Sequence, residues 1–564
     1  MVAGVDLLQS ESNSGGAPPR ARVISSRRDV EARLGAAVAA ELTYAKIFLD
    51  SIGNTYPVFV ETNDATTLVM SLSDSAALGA AGSGPRVETY GGYFSWDRPA
   101  GLRPSTFAEA VRRAAGAGSI VVDGDLPVAR FNALVASGGA EVRGTEPHEP
   151  VFIYRKRRAD IEKQWLSTRD GDAAAVEAFV GSLRRGADLI AAMKATPVGY
   201  AELDRLMGDA GLAALLVSSP FNTEMFTGLP SQVAEQFGLT CLFTPGEEHV
   251  IVFAKRAFGR RDFEAAGQAT SLAEAVAAIA GGRPVGIEEG HLGIGVYKAL
   301  SAAGCAAQAS VSVLRRWLDR LAGTDLPYFI VAANAVLAGF HNASKYILRH
   351  PQSGVTEREA GAVFAAGACA FAKSVGMDGR TGPYFDIIHS GERTLLPAIA
   401  GDYPILPAHQ TIKFDMGILV RDAFGCVRAC SDIARTLSPS PILEQCHDDL
   451  RALLVERLIP QMRPGMSGGE IHELGVRSLR ECEAGLRQAG LMRDDATMDG
   501  YSRDCGHTIH RTTSGSVYFL PGVKETIEPG MLGCVEYVWP IGDKIIAVED
   551  GYYVTDTEVI PFTI

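Results

Sequence analysis

Residues 412 to 437 read IKFDMGILVRDAFGCVRACSDIARTL, in which apolar runs typical of strands flank two aspartates. Further along the chain, one histidine and two glutamates stand in similar apolar surroundings. A carboxylate at a half-buried strand position needs a cation or a hydrogen-bond donor as its partner, because burying a lone charge is costly. Four carboxylates and one imidazole are what two divalent cations need when carboxylates bridge them. The predicted metal ligands are Asp415, Asp432, His507, Glu536 and Glu549.

Each predicted ligand stands in a short motif. The motifs are Phe414-Asp415-Met416-Gly417, Cys430-Ser431-Asp432-Ile433-Ala434-Arg435-Thr436, Gly506-His507-Thr508-Ile509, Glu528-Pro529-Gly530-Met531 ahead of Val535-Glu536, and Ala547-Val548-Glu549-Asp550-Gly551. In this order they resemble the C-terminal catalytic domain of the creatinase, aminopeptidase P and methionine aminopeptidase superfamily, known as the pita-bread fold. The resemblance implies that Asp415 and Asp432 lie on adjacent strands. It also implies that His507 and Glu536 come from the next hairpin and that Glu549 bridges two metals.

Two segments upstream of these motifs share a plan of helices and apolar strands. In the second, residues 200–207 are predicted as a helix, 211–218 as a buried strand and 222–228 as a loop, which resembles the small N-terminal domain of creatinase and aminopeptidase P. The first segment carries strands predicted at 57–61, 68–72 and 119–122 and a basic helix at 154–165. The second segment is therefore interpreted as a second copy of the small domain.

The predicted fold class is α+β, with a C-terminal pita-bread catalytic domain preceded by two creatinase-N-like α/β domains. The predicted bounds are a disordered leader at 1–20, a first small domain at 21–175, a second at 176–326 and the catalytic domain at 327–564. Helices are predicted within the catalytic domain at 328–346, 356–375, 441–460 and 468–485. This plan resembles the long, three-domain aminopeptidase P proteins, and the resemblance implies a homodimer.

Composition narrows the class of protein. The chain has 564 residues and a net charge of −13, which gives no reason to expect nucleic acid or an anionic membrane as a partner. Its nine cysteines form no Cys-x-x-Cys pair, which indicates reduced thiols. The first twenty residues lack the pattern of a secretory signal. We therefore expect a soluble, cytoplasmic protein.

The sequence departs from the family around the predicted metal site. Two histidines that family members use to bind substrate and manage protons are replaced here, by Ala398 and by Ser514. His389 and His510 stand nearby in the sequence and are candidate acids or bases, with Lys413 as a weaker candidate. Glu536, His510 and His389 are the predicted catalytic residues, and Arg421, Ser514 and Tyr518 are the predicted substrate-binding residues.

The two aspartates are also unusually far apart for the family, because Asp432 follows Asp415 by 17 residues. The hairpin between them therefore carries extra residues. Arg421, Asp422 or Arg428 from this hairpin could project toward the pocket, and Asp422 could serve as an additional ligand. A longer surface turn explains the same spacing.

Three functions remain open at this stage. The first is a dinuclear-metal hydrolase of an amide-type carbon–nitrogen bond, similar to Xaa-Pro aminopeptidase or prolidase, with a hydroxide shared by the two metals as nucleophile and Glu536 as proton carrier. The second is a divergent enzyme on the same scaffold that hydrolyses or eliminates a small metabolite. The third is a non-catalytic binding module. The cofactor would be two divalent metal ions, manganese first, with iron, cobalt and zinc also compatible.

Overall fold

The structure, a computed structural model, describes residues 20–34, 57–71, 86–90, 106–116, 119–142, 149–195, 197–351, 354–395, 400–492, 497–498, 501, 503–513, 515–541 and 544–563. Ala398, Ser514 and all but the last residue of the predicted leader lie outside these ranges. The described residues form three successive units of mixed helix and sheet. This confirms the predicted α+β class.

The first unit is a six-stranded mixed sheet with the order β4-β3-β2-β1-β5-β6. Its strands are β1 (Arg20–Ile24), β2 (Val58–Glu61), β3 (Thr66–Ser71), β4 (Arg86–Tyr90), β5 (Ser119–Val122) and β6 (Glu141–Val142). Its helices are α1 (Arg27–Leu34), α2 (Phe107–Ala115) and α3 (Val128–Ala136). The apolar faces of α2 and α3 pack with the buried valines and isoleucine of β1, β2 and β5 into one core. The three strands predicted in this segment are confirmed.

The second unit is a seven-stranded sheet with the order β11-β7-β10-β9-β8-β12-β13. Its strands are β7 (Val151–Arg157), β8 (Ala214–Val217), β9 (Leu239–Phe243), β10 (His249–Ala254), β11 (Glu264–Ala269), β12 (Pro284–Ile287) and β13 (Ala306–Ala309). Its helices are α4 (Arg158–Gly181), α5 (Gly186–Met193), α6 (Tyr200–Asp209), α7 (Pro220–Thr227), α8 (Ser231–Phe237), α9 (Leu272–Ala280), α10 (Ile294–Ala302) and α11 (Val311–Leu321). The predicted loop at 222–228 is wrong, because these residues form most of α7 and its glycine cap.

The basic run at the start of this unit is a strand, so the prediction of a helix at 154–165 is wrong for its first four residues. Tyr154 and Lys156 are buried while Arg155 and Arg157 are exposed, which is the period of two expected for a strand. The Lys156 ammonium lies 2.7 Å from Asp262, so its charge is paired despite burial. Strand β7 pairs with β10 of the second sheet, and the boundary predicted at residue 175 falls inside α4.

The third unit carries two four-stranded sheets and a short ribbon. Its strands are β14 (Val355–Thr356), β15 (Thr381–Ser390), β16 (Pro404–Ile405), β17 (Ile412–Arg421), β18 (Val427–Cys430), β19 (Ile433–Leu437), β20 (Gly506–Ile509), β21 (Leu532–Ile541), β22 (Lys544–Val554) and β23 (Val559–Pro561). Its α-helices are α12 (Leu326–Leu348), α13 (Glu357–Ser374), α14 (Pro441–Ala452), α15 (Ile459–Gln461), α16 (Gly468–Leu479) and α17 (Glu483–Gln488). A π-helical stretch, Leu453–Leu458, joins α14 to α15.

Two helical layers cover these sheets. Helices α12 and α13 form one core with β15 and β17, in which Phe340 of α12 meets Phe414 of β17 edge-to-face. Thr356 caps α13 through reciprocal hydrogen bonds with Glu359, which confirms the predicted capping box. Helices α14 and α16 form a second core with β21 and β22. The helices predicted at 328–346 and 356–375 are present with small shifts of their ends. The helix predicted at 441–460 contains the π-helical stretch, and the one predicted at 468–485 is divided by a 3₁₀ turn at Arg480–Cys482.

One apolar stretch, Val311–Leu348, is long and apolar enough to span a membrane when judged by length and composition. In the folded chain, 83% of its most apolar window is buried inside the protein. The stretch comprises α11, a 3₁₀ turn at Ala322–Asp325 and α12. Its apolar character is that of a core helix.

The lengthened hairpin between β17 and β18 docks the second unit onto the catalytic domain. The Arg428 guanidinium is buried and pairs with Asp325 and Asp422, while Asp422 also accepts hydrogen bonds from the backbone of Phe424 and Cys426. Asp422 is therefore committed to a turn and an ion pair, and the suggestion that it is an additional metal ligand is wrong. Arg428 likewise faces α4 and the 3₁₀ turn, because it donates to Trp165 and Thr168.

A second buried pair strengthens the same interface. Arg511, just after β20, binds Glu224 of α7, and it also donates to the backbone of Phe221 and Val427. Both charged side chains are almost completely buried. Removing one partner of such a pair leaves the other charge buried without compensation.

We expect the Arg511→Met variant to lose about 3–5 kcal/mol of stability, because Glu224 is left as an unpaired buried carboxylate. The measurement is the midpoint of unfolding in denaturant. Arg205→Met is the matched control, since Arg205 forms ion pairs on the surface of α6 and its loss should cost less than about 1 kcal/mol. Equal midpoints for the two variants would contradict this view of the interface.

Candidate metal centre

Strands β17 and β19 bring the two aspartates together. Asp415 lies directly opposite Ala434 in the antiparallel pair, and Asp432 precedes Ala434 by two residues. Residues two apart along an extended chain share one face of a sheet, so the two carboxylates are diagonal neighbours. The prediction that both aspartates lie on adjacent strands is met for Asp415 on β17, whereas Asp432 lies in the two-residue link between β18 and β19, just before β19 begins.

Strands β20, β21 and β22 supply the other candidates. His507 lies opposite Cys534, and Glu536 lies opposite Glu549. Cys534 precedes Glu536 by two residues, so both face the same side of β21. Gly506 makes this pairing possible: its φ is 124°, and a Cβ there would stand 2.1 Å from the carbonyl oxygen of Cys534.

The sheets bring four donor side chains into one group, which we call the four-donor cluster: Asp432, His507, Cys534 and Glu549. One ligand atom from each lies within 4.8 Å of the others. His507 Nε2 is 3.8 Å from Asp432 Oδ2 and 3.6 Å from Cys534 Sγ. Two carboxylates, an imidazole and a thiol are a donor set that fits a borderline divalent cation such as zinc or cobalt. These residues could therefore hold a metal ion.

Cys534 was missed by the sequence analysis. Its thiol is fully buried, and its sequence signal is the spacing of two residues from Glu536 in Gly533-Cys534-Val535-Glu536. A strand assignment for that segment places the thiol on the same face as the predicted ligand. Apolar surroundings made the residue read as a structural cysteine instead.

Asp415 and Glu536 adjoin the four-donor cluster without belonging to it. Lys413, two residues before Asp415, is completely buried, and its Nζ lies 3.8 Å from Asp415 Oδ2. Burial lowers the pKa of Lys413 to about 8, against the attraction of Asp415. Lys413 is thus a second residue at this site to which the sequence analysis gave too little weight.

The carboxylates crowd one another. Burial raises the pKa of Asp432 well above its usual value, and repulsion from Asp415 and Glu536 raises it further. The pKa of Glu549 is raised well above its ordinary value by burial and then by Asp432. The pKa of Glu536 rises to about 8, first through burial and then through Asp504. A divalent cation would relieve this repulsion.

The candidate acid–base histidines occupy different places. His389 lies opposite Lys413 in the β15–β17 pair, and its Nδ1 is 2.9 Å from Glu357 Oε1. Burial lowers the pKa of His389, while Glu357 opposes this. His510 Nδ1 accepts a hydrogen bond from the backbone N–H of Thr512, so the structure ties His510 to a tight turn. His389 therefore lies next to Lys413 on the strand that neighbours β17, and neither His389 nor His510 is part of the four-donor cluster.

The predicted substrate-binding residues are also separated. The Tyr518 ring is half-buried and lies 5.3 Å from the His507 imidazole, beside the cluster. Arg421 is six residues beyond Asp415 on β17, roughly 20 Å away along an extended strand, and packs on Gly382. The structure therefore does not bring Arg421 to the site, because β17 continues straight past the metal ligands. Ser514 is outside the described residues.

A buried carboxylate braces the strand that carries His507. Asp319 of α11 accepts hydrogen bonds from the Thr508 hydroxyl at 2.8 Å and from the backbone N–H and hydroxyl of Ser516. Burial nonetheless raises the pKa of Asp319 to about 6. The second unit thus contacts the strand that carries His507 through the titratable side chain of Asp319.

Comparisons with known proteins agree with this geometry. Residues 329–556 match metallopeptidase family M24, and residues 200–320 match the creatinase/prolidase N-terminal domain. The chain belongs to the creatinase and aminopeptidase P superfamily. It is therefore a metal-dependent hydrolase, and its third unit is the pita-bread domain. Comparison with curated proteins gave no match.

One solved structure shows the same fold over nearly the whole chain, and two others were found with lower scores. An X-prolyl aminopeptidase from Caenorhabditis elegans, described as a cytosolic enzyme with a di-nuclear active site, aligns over 99% of this chain and 88% of its own, with a TM-score of 0.56 and 11% identity. A prolidase from Pyrococcus furiosus is 17% identical and covers 64% of this chain and 99% of its own, with a TM-score of 0.47. An Xaa-Pro dipeptidase from Bacillus anthracis is 20% identical and covers 64% and 96%, with a TM-score of 0.46.

Replacing Asp432 or Glu549 with Ala should remove the bound metal, because each supplies a buried oxygen to the four-donor cluster. The measurement is the metal content per chain by elemental mass spectrometry on protein purified without a metal-affinity tag. Asp422→Asn is the control, since Asp422 serves a turn and an ion pair with Arg428 and its variant should keep the wild-type metal content. An Ala variant that retains the full metal content would refute the assignment.

The Asp319 carboxyl should make stability depend on pH. Its folded pKa lies about two units above the usual value of 3.8, so the protonated form is favoured in the fold and stability is lost as pH rises from about 4 through about 6. Relative to Asp319→Asn, the wild type should lose roughly 3 kcal/mol over this interval, at about 1.4 kcal/mol per pKa unit. Denaturant unfolding in excess chelator at several pH values measures it. A difference that is independent of pH would contradict the assignment.

Proposed function

We propose that this protein hydrolyses an amide-type carbon–nitrogen bond next to proline, in the manner of an Xaa-Pro dipeptidase or aminopeptidase. The observation that carries the proposal is the convergence of two carboxylates, an imidazole and a thiol inside a domain that matches metallopeptidase family M24. The X-prolyl and Xaa-Pro names of the similar structures support the choice of bond. The two-metal centre expected from the sequence stays a prediction.

The chain's own residues divide the work. A cation held by the cluster would polarise the substrate carbonyl and lower the pKa of a water molecule. Glu536 is half-buried opposite the fully buried Glu549, so its carboxyl is the one placed to carry a proton between the site and the leaving nitrogen. Tyr518 lies against His507 and would contact the bound substrate. The Lys413 ammonium lies 3.8 Å from Asp415 and would balance its charge, and His389 lies opposite Lys413 on the neighbouring strand.

Because two histidines of the family are replaced here, the class of substrate needs a direct test. The two histidines that family members use for binding substrate and managing protons are replaced by Ala398 and Ser514, while Lys413 and His389 stand on the strands that carry or flank Asp415. A hydrolase altered in this way would fit a small amide or amidine as its substrate. Peptides and small amides therefore belong in the same assay.

The metal-loaded protein should cleave Xaa-Pro dipeptides faster than dipeptides without proline and faster than small amides or amidines. Glu536→Gln should lower kcat by about 100-fold or more, because a positioned proton carrier contributes about that much. Glu525→Gln is the control, since Glu525 is exposed and its variant should keep the wild-type rate. The assay measures kcat and KM for each substrate by release of free proline or free amine.

Each possible result is decisive. Cleavage of small amides or amidines alone would replace the proposal with a divergent non-peptidase enzyme on the same scaffold. Failure to cleave any of these substrates by protein that carries its metal would contradict the proposed function.

A further inference from the structure

We propose that this site holds one divalent cation rather than two, that Cys534 binds it as a thiolate, and that the Lys413 ammonium replaces the second cation beside Asp415. The ion is zinc in preference to manganese. The inference concerns the site on which the proposed function rests, but it concerns the metal alone and is tested without a substrate. It changes the sequence-based expectation of two metal ions, manganese first.

The position of Cys534 carries the first part. Its Sγ is fully buried and lies 3.6 Å from Nε2 of His507. A tetrahedral zinc ion with bonds of about 2.3 Å to sulfur and about 2.0–2.1 Å to nitrogen separates the two donors by roughly 3.6 Å. Cys534 therefore stands at the separation from His507 that a shared ion requires.

Two other thiols show that this placement is specific. Cys430 precedes Asp432 by two residues and Cys505 precedes His507 by two, and both are fully buried. Neither belongs to the four-donor cluster, and the Cys430 thiol lies 3.4 Å from the backbone oxygen of His510. Burial near a predicted ligand is thus not sufficient to place a thiol in the four-donor cluster. Only Cys534, of these three, shares the strand face of Glu536 and lies opposite His507 in the register.

Lys413 carries the second part. It precedes Asp415 by two residues, so it shares the face of β17 from which Asp415 projects, and its Nζ is 3.8 Å from Asp415 Oδ2. A unit positive charge at this distance already compensates the carboxylate in a buried site. A second divalent cation bound by Asp415 would lie close to a buried ammonium and would be repelled by it. Asp415 therefore pairs with Lys413.

Ligand chemistry selects the metal. A thiolate is a soft donor that favours zinc or cobalt, whereas manganese prefers oxygen donors in a site with more ligands. With an imidazole and two carboxylates, the thiolate completes four donors, which is the usual coordination number of zinc. Without Cys534 the remaining donors are one nitrogen and carboxylate oxygens. The thiolate is thus the feature that would set the metal preference.

The first test is a titration of the metal-free full-length protein with cobalt(II), followed by absorption in the near ultraviolet. We expect a thiolate-to-cobalt charge-transfer band that saturates at about one equivalent of cobalt per chain and is displaced by zinc. Cys534→Ser should lose the band, and Cys505→Ser should keep it. Absence of the band in the wild type, or its survival in Cys534→Ser, would overturn the thiolate assignment.

The second test is equilibrium dialysis of the same proteins against zinc and against manganese. The wild type and Lys413→Arg should bind one equivalent, with zinc held at least tenfold more tightly than manganese. Lys413→Met should bind a second equivalent, because Asp415 then lacks its cation. Two equivalents in the wild type would overturn the single-ion site.

The outcomes separate this inference from the proposed function. Hydrolysis of Xaa-Pro peptides by a protein that binds two metal ions without a thiolate band would leave the function standing and refute the inference. A thiolate band at one equivalent in a protein that cleaves neither peptides nor small amides would confirm the inference and refute the function.

Discussion

The structure of the catalytic domain depends on one electrostatic constraint, which is that several buried carboxylates face one another with few cations among them. Burial raises the pKa values of Asp415, Asp432 and Glu549, and repulsion from neighbouring carboxylates raises those of Asp432 and Glu549 further. Such a group is stable only if positive charge is supplied at short range. The four-donor cluster supplies a place for a metal ion, and Lys413 supplies an ammonium beside Asp415. The registers of the strands place both the four-donor cluster and Lys413 beside these carboxylates.

The second unit stabilises this arrangement from outside the pita-bread domain. Helix α7 contributes Phe221 to an apolar cluster with Tyr384 and Leu419, and its Glu224 pairs with Arg511. Helix α11 contributes Asp319, which fixes the turn after His507. The segment from His507 to Thr513 is therefore held on both sides by another domain. His510 therefore lies in a turn between two segments that contact the second unit.

Much of the fold could be predicted from the sequence because local signals agreed with the final packing. Thr356 and Glu359 form the expected capping box, and Ser119–Val122 is a strand at its predicted bounds. The run at Tyr154–Arg157 was mispredicted because its charges suggested a solvated helix, whereas Lys156 is buried with Asp262 as its partner. That partner is more than a hundred residues away, and local sequence carries no sign of it.

The residues of the metal site could likewise be predicted where the local sequence carried the signal. Motif order predicted Asp415, Asp432, His507, Glu536 and Glu549, and the structure brings three of them into the four-donor cluster and the other two beside it. Cys534 and Lys413 were undervalued because each reads as an ordinary residue until a strand register places it opposite a ligand or next to one. Arg421 and Asp422 were overvalued because the sequence alone does not show which way a long hairpin points.

The measurement that tests the central claim most directly is a crystal structure of the zinc-loaded protein with anomalous diffraction collected on both sides of the zinc absorption edge. The account predicts one anomalous peak per chain, within bonding distance of Asp432, His507, Cys534 and Glu549. It predicts Lys413 still paired with Asp415. Two peaks with Asp415 as a ligand, or one peak without the Cys534 sulfur, would contradict it.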